Sequence, residues 1–410
     1  MDNLSLQGYT VRAIIPVEIF GMIFEHFVGP ERPISWTFRF WPVLVSAWVF
    51  ALAATWLCKK IALRLGIVDK PDAYVKTHKE PVAYLGGIGI MVGLTVGILA
   101  GIAMIQDCEH FSKALSWLLG ILAGAAVACF VGLVDDLLDL RPRQKLLGQL
   151  LASCALIVVG ILPTLDYFVM PFGLTIPEPL DFVLGAGVVV FFVLGASNSL
   201  NLLDGLDGLC GGVTAIITIG MLLLAMHLAT WNVSESGDPV RIILCLSLVG
   251  GVLGFLPFNR HPAKIFMGDA GSMLLGFVTA SLMILFAETI PRWWMASIVI
   301  FGLPILDTAT ALVRRLINKR PLFVSDRGHI YDQLIDRGIP LKHTVAICYA
   351  LAGLYALIGI TMSQIRTRYA LIIYVGVILV SAAVIWKKGF LKMHGHRGAI
   401  QKHTDPAENT

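Results

Sequence analysis

The sequence of 410 residues contains little charge, since Asp, Glu, Lys and Arg make up only 14% of it, against about 25% in soluble domains. It also lacks closely spaced cysteines: the seven are scattered, with no CxxC or CxxH motif. These absences exclude an ordinary cytosolic enzyme, a disordered chain and a disulfide scaffold. We expect no cleavable signal peptide in the first 36 residues, because Glu18 and Glu25 interrupt the apolar residues there.

Apolar residues are abundant instead. They make up 57% of the sequence, the mean hydropathy is +0.80, and many stretches approach the ~20 residues that a membrane-spanning helix needs. Long continuous runs favour helices over the short alternating strands of a barrel. The sequence therefore predicts an all-α polytopic membrane protein with about eleven spans, at residues 40–58, 84–105, 114–134, 146–163, 182–200, 209–229, 241–258, 270–288, 293–313, 343–363 and 369–386.

Lysine and arginine positions predict the orientation. Of the 31 such residues, 23 lie on the side that follows the first span, so that side is predicted to be cytoplasmic, with the N terminus outside and the C terminus inside. We expect an N-terminal, interfacial segment over residues 1–36. A single transmembrane domain should follow over 37–388, with its site on cytoplasmic loops, and then a flexible tail over 389–410. The cysteines are predicted to be small buried hydrophobes.

Carboxylates and amides gather at the ends of the spans, all on the predicted cytoplasmic side. They are Asp135, Asp136, Asp139, Asn198, Asn201, Asp204, Asp207, Asn259, Asp269 and Asp307, and His329 lies in the loop after the ninth span. The count of lysine and arginine did not use these residues. Ionisable groups at membrane depth are costly unless they are paired or metal-bound, so their joint placement indicates a functional site.

The donor types indicate the chemistry. Carboxylate and amide oxygens without a histidine or thiolate cluster suit Mg²⁺, or Mn²⁺, rather than Zn²⁺. Nearby lysines and arginines complete the pattern expected for a diphosphate substrate; they include Lys76, Lys145, Arg260, Lys264, Arg314 and Arg327. Each acidic residue alone also has a structural interpretation: Asp269 as a helix N-cap, the DGLDG segment as two turns, Asp307 as a partner of Arg314. The gathering on one face favours function.

At these residues the sequence resembles the polyprenyl-phosphate N-acetylhexosamine-1-phosphate transferases. That family includes the lipid-linked initiators of O-antigen and teichoic acid synthesis and the peptidoglycan phospho-MurNAc-pentapeptide translocase. The similar blocks lie in order at predicted loop positions. They are KTHKEPVAYLGG (76–87), GLVDDLLDLRPRQKLLGQ (132–149), NSLNLLDGLDGL (198–209), GFLPFNRHPAKIFMGDAGSMLLG (254–276), PILDTATALVRR (304–315) and DRGHIYDQL (326–334).

The resemblance implies a magnesium-dependent enzyme of the bacterial inner membrane with a cytoplasmic active site. A polyprenyl (undecaprenyl) phosphate would attack the sugar-linked phosphorus of a UDP-N-acetylhexosamine, most simply UDP-GlcNAc, and UMP would leave. Because the attacking phosphate has a second pKa near ~6, it needs no strong base. The protein would position the reactants and neutralise charge. A homodimer is the expectation by analogy, and no nucleic-acid partner is expected.

The resemblance also implies roles for single residues. Asp269 would be the main metal ligand, and Asp135 and Asp136 would hold the metal or the lipid phosphate. Lys145 would bind phosphate charge. The other implied residues line the substrate: Asn198, Asp204 and Asp207 the nucleotide sugar, Asn259 and Phe266 the uridine, and Lys76, His78 and Arg327 the loops around it, with His329 as a catalytic residue.

One block departs from the family. The O-antigen type carries a His-x-His-His run where this sequence has His329 followed by Tyr331 and Asp332. The three-histidine block of the peptidoglycan translocase is also absent, which disfavours transfer of phospho-MurNAc-pentapeptide. An inactive member of the family and an ion-coupled transporter remain as alternatives. A transporter would place its charges near the bilayer midplane, often in inverted repeats, and no internal repeat is evident.

The orientation is tested by reporter fusions. A reporter joined after Lys402 should give a cytoplasmic signal, because the tail follows an odd number of spans. A second reporter placed in the predicted outward loop at residues 164–181 is the matched control and should give a periplasmic signal. A periplasmic signal after Lys402 would contradict the count of spans.

Overall fold

The computed structural model describes residues 31–69, 82–106, 110–163, 165–166, 175–288, 291–319 and 328–391. These residues are almost entirely helical, which confirms the all-α membrane class. The helices are α1 (Ser35–Phe38), α2 (Trp41–Leu65), α3 (Gly86–Met104), α4 (Phe111–Leu138), α5 (Pro142–Val158), α6 (Glu178–Leu203), α7 (Leu209–Ala229), α8 (Gly237–Asn259), α9 (Gly268–Phe286), α10 (Pro291–Ile300), α11 (Gly302–Ile317), α12 (Ile330–Asp336), α13 (Leu341–Ser363) and α14 (Thr367–Lys387).

Every predicted span corresponds to a helix or a helix pair among the described residues, but two differ from the prediction. Among the residues that the structure describes, nine stretches are long and apolar enough to cross a membrane, the first of them joining α1 to α2, and the bent pair α10–α11 would make ten. Helix α5, the fourth predicted span, has 17 residues and ends five residues early, before Gly160 with its positive φ of 75°. Whether α5 crosses the membrane stays a prediction, as does the total of eleven.

The ninth predicted span is not one straight helix. It divides at Phe301 into α10 and α11, which are bent by 69° relative to each other. Pro304 explains the break, because proline has no N–H to donate to the carbonyl four residues earlier and its ring collides with that carbonyl. The bend turns α11, and with it Asp307, out of the line of α10.

Helices α8 and α9 form the centre of the bundle. Most of their residues are buried, whereas α14 buries almost none. Helix α9 packs against α4, α6 and α3, and α8 packs against α2, α3 and α7. The apolar side chains of α14 face outward instead, among them Leu371, Ile372 and Leu379. This division is expected when lipid covers the periphery and small or apolar side chains fill the interior.

A short hairpin joins the segment after α2 to the segment that precedes α9. Its strands β1 (Val68–Asp69) and β2 (Val82–Ala83) are antiparallel. The backbone N–H of Phe266 donates to the Ala83 carbonyl at 2.8 Å, and the N–H of Gly86 donates to the Phe266 carbonyl at 3.0 Å. These bonds hold the start of α9 against the start of α3.

Five cysteines are buried and unpaired, as predicted: Cys58, Cys129, Cys210, Cys245 and Cys348. Cys154 is exposed on α5, so the prediction of burial is wrong there. Cys108 lies outside the described residues, as do residues 1–30 and 392–410 of the predicted terminal segments.

Close contact between α4 and α9 generates a stability prediction. A Cβ at Gly132 would overlap the backbone carbonyl of Asp269, whereas a Cβ at Gly195 on α6 would meet nothing within 4 Å. Gly132→Ala should therefore lower the thermal unfolding midpoint of the purified protein by several degrees, since overpacking costs about 1–3 kcal/mol. Gly195→Ala is the matched control and should leave the midpoint unchanged or higher. Equal midpoints would contradict the contact.

Candidate active site

Two carboxylates and one lysine meet where α4, α5 and α9 come together. The Lys145 ammonium contacts the Asp135 carboxylate, and it lies 3.0 Å from Oδ2 of Asp269. Asp135 is in the last turn of α4 and Asp269 is in the first turn of α9. The sequence separation of 124 residues between Lys145 and Asp269 shows that the packing of distant helices builds this centre. The structure thus brings three of the predicted residues together.

Asp136 binds the start of α9. Its Oδ1 accepts the backbone N–H of Asp269 at 2.8 Å, and its Oδ2 accepts that of Ala270 at 3.1 Å. A carboxylate at a helix N-terminus satisfies unpaired amides and interacts well with the helix dipole. Gly268, with a φ of +68°, opens the helix, and any Cβ there would overlap the Asp136 carboxylate. Asp136 therefore positions Asp269, and its predicted catalytic and metal roles stay predictions.

Asn201 is one of the gathered polar residues of the sequence, but no role was predicted for it. Its amide donates to Oδ1 of Asp269 at 2.7 Å and to the Ser272 hydroxyl at 3.0 Å. Asn198, which was assigned, is exposed one turn earlier on α6 and donates to Gln149 at 3.2 Å. Its position in the sequence could have identified it, because Asn201 lies nearer than Asn198 to the end of α6, where the acidic residues gather.

Residues 204–208, between α6 and α7, form what we call the acidic loop. Burial raises the pKa of Asp204 well above its usual range, and the nearby charges of Asp269, Asp136 and Asp207 raise it further. Asp207 is held differently, since its Oδ2 accepts the Ala263 N–H at 3.1 Å and lies 2.8 Å from Nδ1 of His261. Asp204 thus places a further carboxyl group near Asp269.

Asn259 and Phe266 connect this loop to α9. The Asn259 side chain accepts the Gly208 N–H and donates to the Ile265 carbonyl, both at 3.0 Å. Phe266 is half-buried, with its ring in edge contact with Tyr84 at a centroid distance of 6.0 Å. Asn259 is itself buried, so its observed contacts are structural, and the uridine roles of both residues stay predictions.

His329 is held by Asp307. The ring Nδ1 lies 2.7 Å from Oδ2 of Asp307, and both side chains are buried. The other oxygen of Asp307 accepts the N–H of Ile330 at 2.6 Å. This arrangement fixes the direction of the imidazole, so that Nε2 is the ring nitrogen left for a substrate. Asp332 caps the same helix by accepting the His329 N–H at 3.3 Å. Lys76, His78 and Arg327 lie outside the described residues.

Magnesium, which the donor types in the sequence favour, stays a prediction. Within the described ranges, no group of three or more His, Cys, Asp or Glu side chains is arranged around one ion position. Mg²⁺ commonly takes only one or two protein carboxylates and completes its shell with water and substrate phosphate. Asp135 and Asp269, both in contact with Lys145, are the two carboxylates that could supply such ligands.

A cavity of about 500 Å³ opens beside the acidic loop. It lies between the end of α8 and the start of α13, and its walls combine apolar and basic side chains. The lining residues are Asp207, Gly208, Leu253, Leu256, Pro257, Arg260, His261, Leu341, Lys342, Val345 and Tyr349. The cavity is therefore open to both an apolar and an anionic part of a ligand.

Comparison with known proteins identifies relatives over most of the chain. The family model described as "Glycosyl transferase family 4" matches residues 118–287. The "Probable undecaprenyl-phosphate N-acetylglucosaminyl 1-phosphate transferase" of Bacillus subtilis (strain 168) is 31% identical, covering 76% of this chain and 82% of the relative. The "Undecaprenyl-phosphate alpha-N-acetylglucosaminyl 1-phosphate transferase" of Yersinia pestis is 26% identical, and the alignment covers 77% of this chain and 82% of the relative. The "Phospho-N-acetylmuramoyl-pentapeptide-transferase" of Bacillus thuringiensis (strain Al Hakam) is 30% identical, and the alignment covers 67% of this chain and 82% of the relative.

The two adjacent aspartates should respond differently to removal of charge. Asp136→Asn replaces one acceptor of the α9 amides with a donor, so it should destabilise the protein by about 1–3 kcal/mol. Asp135→Asn retains the oxygen that accepts the Leu140 N–H at 2.8 Å and loses the contact of Oδ2 with Lys145, which Asp269 still contacts, so it should lower the unfolding midpoint less than Asp136→Asn does. Thermal unfolding in detergent measures both variants. Equal midpoints for the two variants would contradict the structural role of Asp136.

Proposed function

Since the chain belongs to glycosyl transferase family 4, the phosphosugar transferases that include the three relatives above, we propose that it transfers N-acetylhexosamine-1-phosphate from a UDP-sugar to a membrane polyprenyl phosphate. The proposed sugar is GlcNAc and the proposed lipid is undecaprenyl phosphate. The product would start a lipid-linked cell-envelope polysaccharide, of the O-antigen or teichoic acid type. The observation that carries the proposal is the meeting of Asp135, Lys145 and Asp269 at the ends of three helices.

In the proposed reaction, an oxygen of the lipid phosphate forms a bond to the sugar-linked phosphorus of the donor. The bond between that phosphorus and the bridging oxygen breaks, and the electron pair leaves with UMP. The attacking phosphate is anionic near neutral pH, so the main obstacle is repulsion between two anions. A site made of fixed charges lowers this barrier by positioning both phosphates and by neutralising their charge.

The side chains divide this work. Lys145 is one-third exposed, so its ammonium can leave a carboxylate for a substrate phosphate. Asn201 and Asp136 hold Asp269 by its side chain and its backbone respectively. We propose that Asp269 and Asp135 hold Mg²⁺, which when bound would neutralise the diphosphate and the leaving UMP. Nε2 of His329, whose Nδ1–H donates to Asp307, would accept a hydrogen bond from a sugar hydroxyl.

Two alternative functions would require either a different donor substrate or a different placement of the charged residues. The Bacillus thuringiensis relative is named for the pentapeptide substrate, so UDP-MurNAc-pentapeptide is the second candidate donor. A transporter would share the broken pair α10–α11, but it would place its charges at the midplane. Asp135 lies in the last turn of its helix and Asp269 in the first turn of its own.

The proposal is tested with purified protein, undecaprenyl phosphate and a panel of labelled nucleotide sugars. UMP release should require the lipid phosphate and a divalent cation, with UDP-GlcNAc as the best donor, and EDTA should stop it. Asp269→Asn should reduce turnover by at least about a hundredfold, in the range expected when a key electrostatic group is lost. Asp181→Asn, remote from the site at the start of α6, is the control.

Three outcomes would contradict parts of this account. Full turnover of Asp269→Asn at saturating Mg²⁺ would contradict the metal assignment. A preference for UDP-MurNAc-pentapeptide would replace the proposed donor with the second candidate. Substrate flux into liposomes without any UMP release would favour the transporter over the enzyme.

A further inference from the structure

Two tyrosine hydroxyls hold the acidic loop at its two ends. Tyr331 on α12 donates to the carbonyl of Leu202 at 3.0 Å, and Tyr349 on α13 donates to the carbonyl of Gly208 at 2.7 Å. The first acceptor lies just before the loop and the second is its last residue. The loop is therefore attached to two helices that follow it by more than 120 residues in the sequence.

Both tyrosines fit into space left by glycines. A Cβ at Gly205 would overlap the Tyr331 hydroxyl, and a Cβ at Gly212 would overlap the hydroxyl of Tyr349. Tyr331 is buried, and burial raises its pKa well above the usual range, with the charge of Asp332 adding to the effect. The hydroxyl consequently stays protonated near neutral pH and can donate.

Tyr331 also joins the loop to the buried histidine. Its ring stacks on that of His329 at a centroid distance of 5.6 Å and an angle of 11°. Since His329 is bound to Asp307, one chain of contacts runs from Asp307 through both rings to the carbonyl of Leu202. A displacement of Tyr331 would therefore change the positions of the histidine and of the acidic loop together.

We propose that Tyr331 and Tyr349 are positioning residues that set where Asp204 and Asp207 stand relative to Asp269. The inference rests on the proposed function and on the role that the family resemblance implies for Asp204 and Asp207, which is to line the nucleotide sugar. Neither hydroxyl needs to touch the substrate. Each removes freedom from a loop that contains two glycines, and such loops gain most from external attachment because glycine restricts the backbone least. The hydroxyl of Tyr331 thus supplies a hydrogen bond that links the acidic loop to the helix that begins after His329.

The test uses the full chain and three Tyr→Phe variants, each of which loses one hydroxyl and keeps the ring. Tyr331→Phe and Tyr349→Phe should each raise the KM for UDP-GlcNAc by about three- to tenfold, the effect of one hydrogen bond, with a smaller change in kcat. Tyr355→Phe is the matched control, because its hydroxyl bonds Ser381 at 2.7 Å between α13 and α14. It should stay within twofold of the unaltered protein.

Hydrogen exchange supplies a readout that does not need turnover. Peptides covering residues 201–212 should exchange faster in Tyr331→Phe and Tyr349→Phe than in the unaltered protein or in Tyr355→Phe. Exchange equal to the control would overturn the attachment of the loop. Faster exchange with an unchanged KM would overturn the positioning role. If the unaltered protein releases no UMP, the proposed function and the positioning role both fail, and the exchange data still decide whether the hydroxyls hold the loop.

Discussion

The repulsion between carboxylates at one end of the helical bundle is the constraint on which the site depends. Asp135 and Asp269 both contact the ammonium of Lys145, so their charged oxygens lie within about 6 Å of each other. At an effective dielectric constant near 20, two such charges repel by about 3 kcal/mol. Lys145 offsets this repulsion, and Asp204 places a further carboxyl group near Asp269. We propose that a divalent ion bound together with a diphosphate would offset the repulsion that remains.

The fold serves this arrangement by fixing the backbone around it. Asp136 holds the first amides of α9, Gly132 lets α4 approach the Asp269 carbonyl, and the hairpin strand at Ala83 pairs with Phe266. Buried helices α8 and α9 carry little charge away from their ends, whereas α14 faces outward. Because the side chains of such a centre are already in place, they do not have to rearrange when charge develops in the transition state. At the other end of α8 the described residues form a buried pair, Asp238 and Arg241 at 3.3 Å, which Arg32 and Glu288 also contact.

Much of this could be predicted from the sequence, because hydropathy and charge placement are strong signals in membrane proteins. The helices and the meeting of Asp135, Lys145 and Asp269 followed from them. The break at Phe301 was missed because the average hydropathy of a stretch of about 20 residues hardly changes when one of them is proline. The role of Asn201 was missed because spacing alone does not separate it from Asn198. The contacts of Tyr331 depend on helices that are distant in sequence, so no local pattern contains them.

The most direct test of the account is pulsed electron paramagnetic resonance of Mn²⁺ bound to the purified protein with UDP-GlcNAc. If the carboxylates and the diphosphate share one ion, the spectrum will show ³¹P hyperfine coupling from the nucleotide, and Asp269→Asn will abolish that bound signal. Bound Mn²⁺ without ³¹P coupling, or unchanged binding in Asp269→Asn, would contradict the claim that this centre joins a metal ion to the phosphates.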